Sequence, residues 1–177
     1  MCQLLNVQKV RLRQKKLADA ANDYAWRVDP ELSRLDAAPV LVCSFEEYLK
    51  IYAEELNHPL RGQCRFAIET LDGEHIGNCG YFDIDEGEGE AELGIMIGER
   101  AYWDKGYGAD AVITLLNHNF ATTKLKRIYL KTLDWNIRAQ KCFEKCGFTP
   151  CREVIVRGYR FLIMEIRSPD PSISSRI

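Results

Sequence analysis

The stretch from Ala91 to Ala111, AELGIMIGERAYWDKGYGADA, decides the fold of this chain. Its first part alternates, because Leu93, Ile95 and Ile97 face one way and the residues between them face the other, which is the period of a β-strand. Farther along, apolar residues recur at helical spacing, at positions Val112, Ile113, Leu116 and Phe120. The stretch therefore predicts a strand, a connecting loop and a helix that begins near Ala109.

The loop before this helix has the features of an anion-binding site. The first amides of a helix lack internal partners, and the helix dipole places about half a positive charge there. Gly106 and Gly108 would let a phosphate approach those amides without meeting a Cβ atom, and Lys105 adds a cation beside them. The loop therefore predicts a phosphate-binding segment.

Two common phosphate-binding motifs do not fit this loop. A P-loop needs a Lys-Ser or Lys-Thr pair, and none follows Gly108. The dinucleotide-binding fingerprint matches in spelling, but the gap after Ile97 is too long, and the next strand carries Arg127 and Lys131 where an acidic residue is expected. Neither motif therefore accounts for the predicted phosphate-binding segment.

The bulk composition is that of an ordinary globular domain. The chain has 177 residues, enough to bury about 70% of its unfolded surface. Its net charge of -2 gives no bulk attraction for nucleic acid or an anionic membrane, so neither is an expected partner. The seven cysteines and three histidines lack metal-ligand spacing, and no apolar run has the length of a membrane span. We expect one domain over residues 1–167, a loose tail over 168–177, no metal, and a cytoplasmic location.

The rest of the sequence alternates between strand and helix patterns. Turn and capping residues such as Asp29-Pro30, Ser44 with Glu47, and Asp72-Gly73 mark the boundaries. These patterns predict further strands over 7–13, 64–70, 75–85, 127–133, 148–156 and 159–167, and helices over 17–28, 30–35, 45–57 and 137–146. The strand before the central helix and the strand after it should form a strand-helix-strand unit, which we expect to be parallel and right-handed.

Two clusters each allow two interpretations. An aromatic stripe in the third helix could line an acceptor pocket or pack in the core; its members are Phe45, Tyr48, Leu49, Tyr52 and Leu56. An acidic cluster could attract a cationic amine or be a solvated hairpin tip; its members are Asp83, Asp85, Glu86, Glu88, Glu90 and Glu92. Glu92 differs from the others because it lies inside a strand, where a charge needs a partner or a function.

Two segments carry a resemblance to a known family. Residues 103–108, WDKGYG, resemble the Q/R-x-x-G-x-G/A motif of the GNAT superfamily of N-acetyltransferases, except that Trp103 replaces the first residue. Asn136-Ile-Arg-Ala139, followed by Phe143-Glu-Lys-Cys-Gly-Phe148, resembles the second GNAT motif, N-x-x-A-x-x-x-Y-E-K-x-G-F. The YWDKGYG form and the opening helices are most similar to the RimJ/RimL-like branch, which includes ribosomal-protein and polyamine acetyltransferases.

The resemblance implies a fold and a set of site residues. The fold is α+β: a single GNAT-type domain with a mixed, mostly antiparallel sheet of about six or seven strands, flanked by helices and splayed between the central strands. Glu92 would be the general base, and the amide of Met96, four residues later, would polarise the thioester carbonyl. The implied contacts to acetyl-CoA are Ile95, Met96, Ile97, Trp103, Asp104, Lys105, Gly106, Tyr107, Gly108, Ala109 and Asn136.

The implied reaction moves an acetyl group from acetyl-CoA to a primary amine of a small polyamine, another amino compound or a protein N-terminus. At pH 7 only roughly one alkylamine in two thousand is unprotonated, so a base must take the proton. Phe143 stands where the family often has a tyrosine that protonates the leaving thiolate, so water, Cys142 or Tyr159 would replace it. A non-catalytic acyl-CoA sensor is the alternative, and the protein is expected to be a monomer or homodimer.

Overall fold

Seven strands form one sheet in the computed structural model, which describes residues 8–168. Their order across the sheet is β1-β2-β3-β4-β5-β7-β6. All neighbouring strands are antiparallel except β4 and β5, which confirms the predicted mixed sheet. The strands are β1 Val10–Gln14, β2 Cys64–Thr70, β3 His75–Asp85, β4 Glu90–Ile97, β5 Arg127–Leu133, β6 Thr149–Val156 and β7 Tyr159–Arg167.

Five α-helices accompany this sheet in the described part of the chain. They are α1 Ala20–Arg27, α2 Pro30–Leu35, α3 Phe45–Asn57, α4 Tyr107–Thr122 and α5 Ile137–Lys145. The Asp29 side chain accepts hydrogen bonds from two amides of α2, and Ser44 with Glu47 forms a capping box at α3, as the sequence predicts. Several boundaries differ from the prediction. A 3₁₀ turn over Leu17–Asp19 precedes α1, α4 begins at Tyr107, two residues before the predicted start, and α1 and α5 each end one residue early.

The central strands β4 and β5 separate beyond a short stretch of backbone pairing. Pairing joins only Glu90–Glu92 to Arg127–Tyr129, although β4 continues to Ile97 and β5 to Leu133. At the other end, the carbonyl of Gly89 accepts hydrogen bonds from the amides of Lys126 and Arg127, at 2.7 and 3.1 Å, which holds the strands together there. The predicted splay is therefore confirmed.

Helices cover both faces of the sheet. On one face the Tyr81 hydroxyl of β3 donates to the carbonyl of Leu115 in α4 at 3.1 Å, and the core lies beneath that helix. Asn78, three residues earlier on β3, faces the opposite way and donates to Asp23 of α1 at 2.6 Å. Helix α4 therefore packs on one face and α1 on the other.

A buried polar network attaches α1 to this second face. Asp19 is only 2% exposed, and its carboxylate accepts from the Arg13 guanidinium at 2.7 and 2.8 Å and from the Lys16 amide at 2.8 Å. Burial alone would raise the pKa of Asp19, but these hydrogen bonds lower it overall. Lys15 pairs with Asp23 in the same network. The network fixes α1 against the sheet by paired rather than isolated charges.

The aromatic stripe of α3 belongs to the packing between α3 and α1. Tyr24 of α1 lies 5.5 Å from Tyr48, which lies 5.7 Å from the buried Tyr52 between ring centroids. These contacts support the core-packing interpretation of the stripe.

Some predictions fall outside the described residues. Val7, where the first strand was expected to begin, lies outside them, and so does the predicted tail apart from Ser168. Within them the first strand covers Val10–Gln14, so it begins and ends later than predicted. Within residues 8–168, no helix is both long and apolar enough to cross a membrane, and no group of three potential ligands is placed to hold a metal ion.

Candidate active site

A cavity of about 710 Å³ lies beside the end of β4, beyond the residues that pair with β5. Its walls come from the end of β4, the loop before α4, the inner face of α5 and the end of α2. Among the residues predicted for the site, Ile95, Met96, Ile97, Trp103, Asp104, Gly106, Gly108, Ala109 and Asn136 line this cavity. The fold thus brings two distant sequence motifs, 103–109 and 136–143, to one place.

The glycines of the loop leave the start of α4 uncovered on the cavity side. Gly106 has φ +85° and precedes the first residue of α4, a left-handed conformation that glycine adopts without strain. A Cβ atom on Gly108 would lie 3.7 Å from Ile97 Cγ1 and 3.8 Å from Cys142 Sγ, so it would stand between β4 and α5. A phosphate-bearing ligand fits this arrangement, because the start of the helix lies in the cavity wall and Gly106 and Gly108 place no side chain over its amides.

Lys105 and Tyr107 do not line the cavity with their side chains. The Lys105 ammonium donates to the carbonyl of Ala101 at 2.7 Å, and the ring of Tyr107 packs edge-on against Tyr102 with centroids 4.8 Å apart. Only the backbone amides of these two residues can serve the predicted phosphate contact.

Trp103 has a structural role in the loop. Its indole N–H donates to the carbonyl of Ile97 at 2.7 Å, which ties the loop to the end of β4. The Arg138 guanidinium of α5 stacks over the ring, with Cζ 3.8 Å from the centroid. The tryptophan therefore connects β4, the loop and α5 around the cavity.

The alternation of β4 corrects one predicted backbone contact. Gly98 donates its amide to Ile76 on the β3 side, whereas the carbonyls of Gly89 and Ile97 face the opposite side. Because N–H and C=O groups alternate along a regular strand, the Met96 amide faces β3, not the opening as predicted. The amides of its neighbours, Ile95 and Ile97, face the opening.

Glu92 carries an ion pair at the point where the strands separate. Its carboxylate lies 2.7 Å from the ammonium of Lys131 on β5, and its side chain is only 17% exposed. The partner that a charge in a strand needs is therefore Lys131. Glu92 lies outside the cavity lining, and its role as a base stays a prediction.

The outer acids of the cluster serve the hairpin between β3 and β4. The Asp85 carboxylate accepts from the amides of Gly87 and Glu88 at 2.9 and 3.0 Å, and Glu90 pairs with Arg127 at 2.7 Å. These contacts favour the interpretation of a capped, solvated turn over that of an amine-binding surface.

The start of α5 is capped as the sequence predicts. Asn136 Oδ1 accepts from the amide of Ala139 at 3.3 Å, and its side-chain amide hydrogens can be donated to a ligand in the cavity. Phe143 is buried against Phe148. The pKa of the Cys142 thiol is lowered, chiefly by its interaction with the neighbouring Cys146 side chain. The Cys146 thiol itself donates to the carbonyl of Ala109 at 3.7 Å.

Comparison with known proteins identifies the family. The GNAT acetyltransferase domain matches residues 9–149, which is most of the chain. The chain belongs to the GNAT acetyltransferase family. Its reaction class is the transfer of an acetyl group from acetyl-CoA to an amine, as the sequence predicts.

Relatives and solved structures agree with this assignment. The acetyltransferase is 30% identical to an uncharacterized N-acetyltransferase of Bacillus licheniformis over 158 residues, which are 88% of this chain and 86% of that protein. It is 28% identical over 85 residues, 48% of this chain and 56% of the relative, to a spermine/spermidine N(1)-acetyltransferase of Bacillus subtilis. The Vibrio cholerae spermidine N-acetyltransferase in complex with CoA and spermine has the same fold, with a TM-score of 0.79, 21% identity, and coverage of 90% of this chain and 95% of that one. Another structure of the Vibrio cholerae enzyme is dodecameric.

Sequence reasoning missed several charged residues of the acetyltransferase cavity. Arg138, Lys141 and Lys145 all line it from α5, and their spacing on one helix face is a signal that the sequence does contain. Asp36, which follows α2, also lines the cavity, and its carboxylate lies 3.8 Å from the Arg27 guanidinium. No local pattern marks Asp36, because its position depends on how α2 packs.

Proposed function

We propose that this acetyltransferase acetylates a primary amine of a small aliphatic polyamine by direct attack of the amine on acetyl-CoA. The observation that carries the proposal is the cavity beside the part of β4 that no longer pairs with β5, with the start of α4 in its wall. Such an arrangement suits a long ligand with an anionic end at the helix and a reactive end between the strands.

The donor side of the proposed site is built mainly from backbone. The amides at the start of α4, over residues 105–109, would bind the pyrophosphate. The amides of Ile95 and Ile97 would bind the pantetheine arm and the thioester carbonyl, a role moved here from Met96. Asn136 would donate its side-chain amide hydrogens to the same arm.

The acceptor side needs a base and an anionic contact for a cationic amine. Glu92 is the proposed base: it lies on β4 close to where the strands part, and Lys131 holds its carboxylate in place. Asp36 is the second proposed acceptor contact, because it is a carboxylate in the cavity wall that could pair with a distal ammonium group. A polyamine carries both a reactive amine and such a second charge.

The leaving thiolate has no acid in the position where the family often has one. Phe143 carries no proton, and its ring is packed against Phe148. We propose that water protonates the thiolate, since a thiolate is already a fair leaving group. Cys142 also lies in the cavity wall, but its thiol packs beside Cys146 and is not the proposed acid.

The polyamine class rests on the relatives and on the motif. Spermidine and spermine acetyltransferases occur among both the curated relatives and the solved structures. The Tyr102-Trp103 form of the loop supports placement in the RimJ/RimL-like branch, which stays a proposal along with its polyamine substrates.

The test is release of free thiol from acetyl-CoA with a panel of acceptors, covering putrescine, spermidine, spermine, an aminoglycoside and peptides with free N-termini. The proposal expects the highest kcat/KM for a polyamine, with Asp36→Asn raising KM for polyamines more than for a monoamine. If only the peptides were acetylated, the acceptor would be a protein N-terminus and not a polyamine. CoA binding without any thiol release would contradict the proposed reaction.

Three further expectations accompany this proposal. Residues 1–167 should fold as one domain without the tail, the protein should be a monomer or homodimer, and it should reside in the cytoplasm. Limited proteolysis, light scattering and cell fractionation test them, and a dodecamer like the Vibrio cholerae enzyme would contradict the second.

A further inference from the structure

One face of α5 presents three cations to the cavity. Arg138, Lys141 and Lys145 lie three or four residues apart, so they occupy one helix face, and all three line the cavity. None of them has a carboxylate partner within ion-pair distance among residues 8–168. The cavity wall holds these three cations against two carboxylates, Asp36 and Asp104, although the whole chain has a net charge of -2. The cavity is thus locally positive.

Arg138 is the member of this face that helix electrostatics does not explain. Lys145 lies in the last turn of α5, where the helix dipole favours a cation. Arg138 is the second residue of the helix, where the same dipole disfavours one. Its position therefore needs another stabilising contact, and the ring of Trp103 at 3.8 Å supplies it.

The Trp103 ring also limits where the guanidinium can go. The indole N–H is bound to the Ile97 carbonyl at 2.7 Å, so the ring is held at the end of β4 and cannot turn freely. The other arginine near this ring, Arg100, lies 5.5 Å away and binds Asp29 and Glu31 through its guanidinium. Of the two arginines on Trp103, Arg138 is the one whose charge is available to a ligand.

We propose that Arg138, stacked on Trp103, is the principal phosphate-binding cation of the cavity and stands in for the Gln or Arg that position 103 lacks. Lys141 and Lys145 extend the positive face along α5, so the wall recognises the phosphorylated end of the donor. Trp103 is a positioning residue that acts through Arg138. This inference rests on the proposed function, because it takes the donor to be acetyl-CoA.

The test compares ligands that differ in phosphate content. Binding of CoA, dephospho-CoA and pantetheine is measured by calorimetry for the wild type, Arg138→Gln and Arg138→Lys. The control is Arg152→Gln, which removes one charge from an exposed position on β6. Arg138→Gln should weaken CoA binding about tenfold to a hundredfold, leave pantetheine binding unchanged, and flatten the dependence of CoA affinity on salt. The CoA affinity of Arg138→Lys should lie between those of the wild type and Arg138→Gln, and the CoA affinity of Arg152→Gln should equal that of the wild type.

A double-mutant cycle tests the positioning role of Trp103. If Trp103 acts through Arg138, Trp103→Leu should weaken CoA binding in the wild type but add little in the Arg138→Gln background. Additive losses would overturn that role. Equal loss of CoA and pantetheine binding in Arg138→Gln, or no loss of either, would overturn the inference about Arg138 while leaving the proposed function intact. A wild-type protein that binds no CoA would overturn the proposed function itself.

Discussion

Substitution of Gly108 by valine should separate cofactor binding from folding. A Cβ at this position meets Ile97 Cγ1 at 3.7 Å and Cys142 Sγ at 3.8 Å, which are ordinary contacts, so an alanine fits. Replacing a glycine in an accessible helical conformation stabilises a protein by about 0.4–1 kcal/mol, so Gly108→Ala should be slightly more stable than the wild type. The two further methyl groups of valine must occupy the gap between β4 and α5.

Substitution of Gly108 should weaken CoA binding even where it does not lower the stability of the fold. Losing a hydrogen bond from a helix amide to a charged group costs about 1.5–3 kcal/mol, which corresponds to roughly 10- to 100-fold in affinity. Gly108→Val should therefore bind CoA at least roughly tenfold more weakly than the wild type does, and the affinity of Gly108→Ala should lie between those of the wild type and Gly108→Val. Calorimetry gives the affinity and urea unfolding gives the stability. Ala121→Val, at the exposed far end of α4, is the control for adding bulk to this helix. A folded Gly108→Val protein with wild-type CoA affinity would refute the proposed phosphate contact.

Three other predictions concern the base, the polar network and a thiol. Glu92→Gln should keep CoA affinity and lower kcat by about 10²- to 10⁴-fold, with a rate that rises at higher pH as the amine deprotonates by itself; an unchanged pH–rate profile would remove Glu92 from the mechanism. Asp19→Asn should lower the free energy of unfolding by about 1–3 kcal/mol at pH 7. Because the pKa of Asp19 is lowered in the folded protein, this contribution is present above its unfolded pKa and is lost as pH falls through the folded pKa. Urea unfolding would contradict this if the free energies of unfolding of the wild type and Asp19→Asn differed by the same amount at pH 7 and pH 3. Cys142 should react with iodoacetamide at a lower pH than an ordinary thiol, and CoA should protect it while the exposed Cys151 stays reactive; mass spectrometry showing no protection would place the ligand elsewhere.

Most of the fold could be predicted because local patterns agree with the final packing. The strands 64–70, 75–85, 127–133 and 159–167 have the predicted boundaries, since each is bounded by a turn, a cap or a loop visible in the sequence. Helix α4 begins earlier than its apolar pattern because Gly106 can adopt a positive φ and end the loop there. Apolar spacing marks the buried face of a helix but not its first turn.

The site was predictable in composition but not in geometry. The motifs at 103–108 and 136–148 indicate which segments meet, yet they do not give the direction of an amide or the partner of a side chain. The hydrogen bonds of Gly89, Ile97 and Gly98 fix the direction of each backbone group along β4, and by alternation the Met96 amide faces β3. Only the structure supplies these hydrogen bonds. Asp36 enters the wall through the packing of α2, and no local sequence pattern encodes that contact.

The most direct test of the account is a crystal structure of the protein with bound CoA. The account predicts the pyrophosphate against the amides of residues 105–109 and the pantetheine arm between β4 and β5, beside Ile95 and Ile97. CoA bound at another surface, or side chains filling the gap between these strands, would contradict it.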